Sequence, residues 1–223
     1  MNLSVEAGYR ASNPCKGVER YAENPRDPSL TSRELSRLWE AAANEERDGD
    51  KGAARIVMLI MLTGARRGEV LNARWPEFDL ASESPIWKVP TEHIKGGKRR
   101  KLVITRNLSI GVCSMLLRWK SETRNPESVL FPSQLGDLYP RRDINKPWHR
   151  IRSAIARCDL RLHDLRHVFA TLALGEGHSL EEIGETLGHR SAMTTRRYAH
   201  IVARQKSKVA NSVSEIILQS NRS

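Results

Sequence analysis

Apolar residues recur along most of this chain at the spacing of α-helices. The apolar segment at residues 52–62 predicts a buried helix that stops at Thr63 and Gly64. Before it, Thr31 and Glu34 match a capping box, in which a hydroxyl begins a helix and a glutamate three residues later bonds back to it. Further helices are predicted at residues 108–119, 144–156, 165–174 and 180–187.

Between these helical parts the pattern changes to short runs rich in β-branched and aromatic residues. The runs at residues 78–80, 86–89 and 101–104 predict strands, and Gly96 and Gly97 predict a turn before the last of them. The sequence therefore predicts a mainly α fold with a small antiparallel β-sheet, an α+β arrangement.

The two ends of the chain differ from its middle. Residues 1–29 hold three prolines among polar residues, which predicts an extended, exposed connector. Residues 199–220 predict a final, lightly amphipathic helix. Large apolar rings at the edges of the predicted elements favour core packing, and they belong to Trp75, Trp87, Trp119 and Trp148.

The charge balance narrows the class of partner. Lysine and arginine number 37 against 26 aspartate and glutamate residues, which gives a formal net charge of +11. Such an excess favours polyanions, meaning nucleic acid or an acidic membrane surface. A membrane partner is not expected, because the longest apolar run, at residues 56–62, is far shorter than the ~20 residues that span a bilayer.

Features of a secreted protein are also missing from the sequence. The N-terminus has no basic region followed by an apolar stretch, so no secretory signal is predicted and a cytoplasmic location is expected. Cys15, Cys113 and Cys158 are widely spaced and odd in number, which fits reduced thiols better than a disulfide framework or a zinc site.

Four short motifs combine cationic and hydrogen-bonding residues, and each also has an ordinary structural explanation. The arginines of TGARRGE at 63–69 would suit a charged helix end. HDLRH at 163–167 would suit a polar helix N-terminus or a histidine pair that binds metal, and LGH at 187–189 a helix that ends on a left-handed glycine. TTRRYAH at 194–200 would suit a surface helix whose tyrosine packs on the core.

The combined chemistry of these motifs favours a phosphate over a metal ion. A zinc protease motif needs a glutamate beside its first histidine, and here Asp164 is followed by Leu165 and Arg166. Guanidinium, imidazole and ammonium groups together bind a phosphate and stabilise its pentacoordinate transition state. This set of residues contains no carboxylate pair suited to two-metal chemistry, and the sequence has no nucleotide-binding P-loop, so a protein nucleophile is expected.

The order of the motifs carries a family resemblance. TGARRGEVL, a lysine in the predicted hairpin, HDLRH, LGH, and a tyrosine nine residues after the last histidine follow one another along the chain. This arrangement resembles the signature of the tyrosine recombinases, the phage integrase family, over residues 30–202. The resemblance implies that family's catalytic-domain fold and site-specific DNA recombination by an integrase of a phage or mobile element, with no cofactor and no metal.

The resemblance assigns roles to the residues of the phosphate site. It implies that Arg66 and Arg166 clamp the non-bridging oxygens of the scissile phosphate, for which a planar guanidinium is suited. Lys95 matches the general acid that protonates the leaving 5′ oxygen, and Lys98 is a rival for that role.

Three residues of the later motifs complete the implied reaction. His163 matches the general acid/base that takes the proton of the tyrosine, and His189 matches a position that supports the phosphate by a hydrogen bond. Tyr198 matches the nucleophile, whose attack would give a 3′-phosphotyrosyl enzyme and a free 5′ hydroxyl.

Glu69, His167 and His200 fit supporting positions of the family. For Glu69 the resemblance implies that the carboxylate orients the site, and the alternative is a solvent salt bridge with Arg66 or Arg67. For the two histidines, helix packing or capping is an equally good explanation.

The resemblance also implies an organisation and an assembly. Residues 1–29 are expected to be a linker or the remnant of an N-terminal core-binding domain, residues 30–202 the catalytic domain, and residues 203–223 a tail helix. The expected partner is double-stranded DNA, bound by a homotetramer on two duplexes, with a monomer when DNA is absent. Residues 203–220 would dock on a neighbouring protomer or on their own domain. We expect a fragment of a longer protein, bacterial or phage-encoded.

Two other functions share part of the pattern. A type IB topoisomerase uses the same chemistry but relaxes supercoils as a monomer, and the small size and the spacing from LGH to Tyr198 favour a recombinase. A non-catalytic DNA-binding protein of this fold would have no need of a nucleophile.

Overall fold

The computed structural model describes residues 2–18, 28–93, 103–123 and 125–188. The helices in these ranges are α1 (Asn2–Glu6), α2 (Ser32–Asp48), α3 (Lys51–Thr63), α4 (Arg67–Asn72), α5 (Ile110–Ser121), α6 (Asn145–Ala154), α7 (Asp164–Gly175) and α8 (Leu180–Leu187). The strands are β1 (Phe78–Asp79), β2 (Ile86–Pro90), β3 (Val103–Asn107), β4 (Pro132–Ser133) and β5 (Gly136–Pro140), with 3-10 turns at Trp75–Glu77 and Thr91–His93. None of the helices in the described ranges has the length and apolar character to span a lipid bilayer.

Helices α2 and α3 begin and end at local signals in the sequence. The Thr31 hydroxyl accepts a bond from the backbone N–H of Glu34 (3.2 Å), and the Glu34 carboxylate accepts one from the backbone N–H of Thr31 (2.8 Å). α3 ends at Gly64, whose φ of 60° lies in the left-handed region that favours glycine. The predicted capping box and the predicted stop are both confirmed.

The main core lies where α3 packs against α2, α6 and α7, and the same core includes Trp87 and Val89 of β2. Residues 53–60 of α3 are all buried, which accounts for the continuous apolar pattern there. The tryptophans expected in the core are each at most 6% exposed, which confirms the prediction for Trp75, Trp87, Trp119 and Trp148. A smaller apolar cluster joins α7 to α8 and thereby holds the C-terminal end of α8 beside the end of α3.

Strands β1, β2 and β3 form the predicted antiparallel sheet in that order. Phe78 and Trp87 pair across β1 and β2, and their rings stack with centroids 5.1 Å apart. β3 extends past its predicted end at residue 104, because its pairing with β2 continues as far as Ile86 and Asn107. The predicted glycine turn at residues 96 and 97 lies outside the described residues.

Two elements differ from the sequence prediction. The N-terminal segment is not wholly extended: α1 forms before the first proline of the connector, Pro14, and the backbone N–H of Ala7 donates to the Leu3 carbonyl (2.8 Å). β4 and β5 form a two-stranded sheet that the sequence did not predict. Most residues of β5 are exposed, so no buried face imposes an alternating pattern on them.

Candidate active site

The ends of three helices bring two of the predicted arginines together. The left-handed turn at Gly64 ends α3, and Arg66 follows at the N-terminus of α4. The Arg66 Nη2 donates to the Gly188 carbonyl (3.2 Å). Arg166, in the first turn of α7, is only 3% exposed and donates from Nη1 to the Gly64 carbonyl (2.8 Å) and from Nη2 to the Leu187 carbonyl (2.7 Å). Both arginines therefore meet at the C-terminal end of α8.

This end of α8 is fixed by Gly188, as the sequence predicts. Gly188 has a φ of 65° and caps α8 in the left-handed conformation. A Cβ at this position would lie 2.9 Å from the Ile104 side chain, so α8 approaches β3 more closely than another residue would allow. The last carbonyls of a helix carry the negative end of its dipole, which adds an electrostatic reason for arginines to gather there.

Glu69 holds Arg66 in place. Its side chain is fully buried, and Oε1 accepts from the Arg66 Nη1 (2.9 Å) while Oε2 accepts from the Arg66 backbone N–H (2.9 Å). The salt bridge with Arg66 that the alternative expected is therefore present, but Glu69 is buried and not exposed to solvent. Burial by itself would raise the pKa of this carboxyl, but nearby Arg106 and Arg66 outweigh it and hold the pKa below its ordinary value.

Arg106 is a site residue that the sequence did not predict. It lies on β3, is 2% exposed, and its Nη2 donates to the Glu69 Oε2 (2.6 Å) and to the Leu187 carbonyl (3.2 Å). Its Nη1 donates to the Thr186 carbonyl. One feature of the sequence indicates that Arg106 is buried. It stands two residues after Ile104, and alternate residues of a strand face the same side, which is the inward side of β3.

The two histidines of HDLRH lie at the start of α7. His163 immediately precedes the helix and is exposed, whereas His167 is partly buried one turn later. Their rings are nearly perpendicular, with centroids 5.3 Å apart. His163 is thus three residues before the buried Arg166, at the exposed end of the helix that positions this arginine.

The remaining predicted residues lie outside the described ranges, and they are Lys95, Lys98, His189, Tyr198 and His200. Their positions in the sequence can be given relative to the described residues. His189 is the residue after Gly188, whose carbonyl accepts from Arg66. The two lysines fall between the 3-10 turn that ends at His93 and the start of β3, the strand that carries Arg106.

Comparison with known protein families decides the family of this chain. The phage integrase family matches residues 28–205, close to the 30–202 over which the motifs resemble it. This chain belongs to the phage integrase family. The family resemblance drawn from the ordered motifs is confirmed.

Curated relatives in the phage integrase family include bacterial and phage proteins. The XerC-like tyrosine recombinase of Caldanaerobacter subterraneus is 23% identical over an alignment that covers 97% of this chain and 63% of that protein. The integrase of Mycobacterium phage D29 is 25% identical, covering 97% of this chain and 59% of that protein. The chain thus spans about three-fifths of the length of these relatives.

Solved structures confirm the fold. The XerH site-specific recombinase, crystallised with a palindromic difH substrate in a post-cleavage complex, matches with a TM-score of 0.65 and 26% identity over 89% of this chain and 56% of that one. The XerA recombinase matches with a TM-score of 0.57 and 26% identity over 88% of this chain and 66% of that one. The predicted integrase catalytic-domain fold, mainly α with a small antiparallel sheet, is therefore confirmed.

The described part of this integrase-family site has the composition of an anion site. Arg66 and Arg106 pair with the buried carboxylate of Glu69, and Arg166 donates to the Leu187 carbonyl, which also accepts from Arg106. Three guanidinium groups thus stand against one carboxylate, which leaves an excess of positive charge. Hydrogen bonds to carbonyls and to the carboxylate hold the guanidinium groups in fixed orientations. A phosphodiester, with one negative charge and two non-bridging oxygens, is a chemical match for such a group of arginines.

A largely buried carboxylate, that of Glu77, lies close to His93, the last described residue before the sequence segment that contains the lysines. Burial raises the pKa of Glu77 to about 7, although the Trp87 Nε1 donates to its Oε2 (3.1 Å). The His93 Nε2 lies 3.4 Å from its Oε1, and burial lowers the pKa of that histidine. Glu77 thus changes charge near neutral pH beside His93.

Proposed function

We propose that this chain is the catalytic domain of a site-specific DNA recombinase, an integrase of a phage or mobile element. The observation that carries the proposal is the convergence of Arg66 and Arg166 on the end of α8 in a chain of the phage integrase family. The sequence continues from there into His189 and, nine residues later, Tyr198. The relatives' own names, recombinase and integrase, support the same activity.

The proposed reaction is a metal-independent transesterification. The Tyr198 oxygen attacks the scissile phosphorus, a new P–O bond forms to the tyrosine, and the bond to the 5′ oxygen breaks. His163 takes the phenolic proton, and Lys95, with Lys98 as the rival, gives a proton to the leaving 5′ oxygen. The 3′-phosphotyrosyl bond conserves the energy of the phosphodiester, so a 5′ hydroxyl from another strand reverses the steps and reseals the DNA.

The arginines stabilise this reaction through charge. Arg66 and Arg166 donate to the non-bridging oxygens, where negative charge grows as the phosphorus becomes pentacoordinate. His189 adds a further hydrogen bond to the phosphate. Glu69 does not react: it keeps Arg66 in place, in line with the orienting role that the family resemblance implies.

Double-stranded DNA is the proposed partner, bound by four protomers on two duplexes, while the chain alone is a monomer. The net charge of +11 supports binding to DNA, which is a polyanion. For the tetramer, we propose that residues 203–220 of one protomer dock on the next. A groove of about 600 Å³ between α2, α3 and α7 supports this, because Trp39, Leu62 and Leu172 line it and are 36%, 38% and 42% exposed.

Trapping of the covalent intermediate tests the proposal. The chain is incubated with nicked duplexes tiled across the DNA that flanks its gene, so that the short strand released on cleavage diffuses away. We expect a protein–DNA adduct that survives SDS and EDTA, and we expect it to be absent for Tyr198→Phe. A matched control is Tyr139→Phe, which removes the hydroxyl of an exposed tyrosine on β5 and should leave the adduct intact. Adduct formation by Tyr198→Phe would overturn the assignment.

The same assay separates the two alternative functions. His163→Ala and Arg166→Ala should lower cleavage much more than DNA binding, and equal losses in both would indicate a binding module. Relaxation of supercoiled plasmid by the monomer, with no preference among the tiled duplexes, would indicate topoisomerase activity instead.

A further inference from the structure

Arg106 is a buried charge for which the proposed reaction has no chemical step. We infer that Arg106 is a positioning residue that sets Arg66 and Arg166 relative to each other at the end of α8. The inference rests on the proposed function, since it concerns the same site, but it adds a residue that none of the four motifs contains.

The geometry gives Arg106 one shared acceptor with each of the two site arginines. Its Nη2 bonds the Glu69 carboxylate (2.6 Å), which also accepts twice from Arg66. The same Nη2 bonds the Leu187 carbonyl (3.2 Å), which also accepts from Arg166 (2.7 Å). A shift of Arg106 therefore moves acceptors of both arginines.

The planar fork of the guanidinium suits this task. It joins β3 to α4 through Glu69 and to α8 through the carbonyls of Thr186 and Leu187. A lysine carries the same charge but has no fixed fork, so it would reach fewer of these acceptors at once. Mere filling of the core would favour an apolar side chain, because burying an ion pair costs desolvation that packing alone avoids.

The charge of Arg106 also controls the ionisation of Glu69. The groups that face this carboxyl are Arg66 on its own helix, Arg106 on β3, and His93 in the turn after β2. Burial lowers the pKa of His93, so it offers little positive charge at neutral pH. Without Arg106, burial acts against Arg66 alone, and the pKa of Glu69 should rise. Glu69 would then take up a proton as the pH falls, and Arg66 would lose its charged partner.

Arg106→Met, which keeps the length and removes the charge, tests the inference with two measurements. The first is a carbon-13 NMR titration of the Glu69 carboxyl, assigned by its loss in Glu69→Gln. The second is the single-turnover cleavage rate on a nicked duplex, as a ratio to wild type at each pH. We expect the Glu69 pKa to rise, and the rate ratio to fall about tenfold per pH unit below that new pKa. Arg106→Met combined with Glu69→Gln should lose this acid dependence.

Two further variants guard against a simple loss of folding. Arg55→Met removes another buried arginine with two carboxylate partners, Glu46 and Glu122, near the start of α3 and away from the site. It should leave the rate ratio independent of pH. Arg106→Lys should keep Glu69 ionised yet cleave at least about threefold more slowly with unchanged DNA affinity, because charge is kept and the fork is lost.

An unchanged Glu69 titration in Arg106→Met would overturn the inference, as would a rate loss of the same factor at every pH. A wild-type cleavage rate in Arg106→Lys would overturn the role of the fork. Absence of cleavage by the wild-type chain would instead overturn the proposed function, and the Glu69 titration would still decide whether Arg106 holds this carboxylate.

Discussion

Replacing Gly64 with alanine tests how closely the end of α3 determines the site. Gly64 has a φ of 60°, and its carbonyl accepts the bond from the Arg166 Nη1. A Cβ on this residue would lie 2.5 Å from the Leu187 Cδ2 and 2.8 Å from the Phe169 Cδ1. These distances are shorter than carbon atoms tolerate, so the side chains, or the end of α8 itself, must move.

The size of the effect follows from two costs. An alanine in the left-handed conformation costs roughly 1–2 kcal/mol relative to its preferred backbone. Overpacking by an added carbon costs about 1–3 kcal/mol, and Leu187 has no free space because it is fully buried. We therefore expect Gly64→Ala to lower the free energy of unfolding by about 2–5 kcal/mol, a large part of the ~5–15 kcal/mol typical of a folded domain.

Equilibrium unfolding in urea measures this loss, and Gly175→Ala is its matched control. Gly175 ends α7 with open space around the position of a Cβ, so alanine there should be neutral or stabilise the protein by up to about 1 kcal/mol. A Gly64→Ala protein within about 0.5 kcal/mol of wild type would refute the packing argument. Normal cleavage per folded molecule, despite the lost stability, would refute the link between the end of α3 and Arg166.

Two other predictions concern the largely buried carboxylate of Glu77 and the proposed tail-docking groove. Glu77 has a pKa of about 7 against an ordinary 4.5, which means that the fold disfavours its charged form. The free energy of unfolding of the wild type should therefore fall by about 3 kcal/mol as the pH rises from about 4.5 to about 7. Glu77→Gln should not show this fall. Urea unfolding of both proteins at four pH values measures the difference, and parallel pH profiles would contradict it. Leu172→Glu places a charge in the groove and should weaken the tetramer on paired duplexes in a mobility-shift assay, with the exposed Leu138→Glu on β5 as control. Undiminished tetramer formation by Leu172→Glu would count against docking of residues 203–220 in this groove.

The helices could be predicted because their signals are local. Thr31 and Glu34 cap α2 across three residues, and Gly64 and Gly188 end α3 and α8 where a left-handed residue is needed. The strands β4 and β5 could not, since they pair with each other on the surface and leave no buried face to mark the sequence. The helix ends thus carry residue-specific signals in the sequence, whereas this exposed hairpin carries none, although its two strands are close together along the chain.

Separation along the chain decided which residues of the candidate site could be predicted. Arg66 and Glu69 are three residues apart on one helical turn, so a short motif contains them both. The acceptors of Arg106 lie 37, 80 and 81 residues away along the chain, and only the fold brings them together. Its inward position on β3 predicts burial but not a partner, because the same alternation would suit an apolar residue. A buried arginine at an inward strand position is therefore a reason to search the rest of the chain for a carboxylate, and here that carboxylate, Glu69, already stands in the motif that holds Arg66.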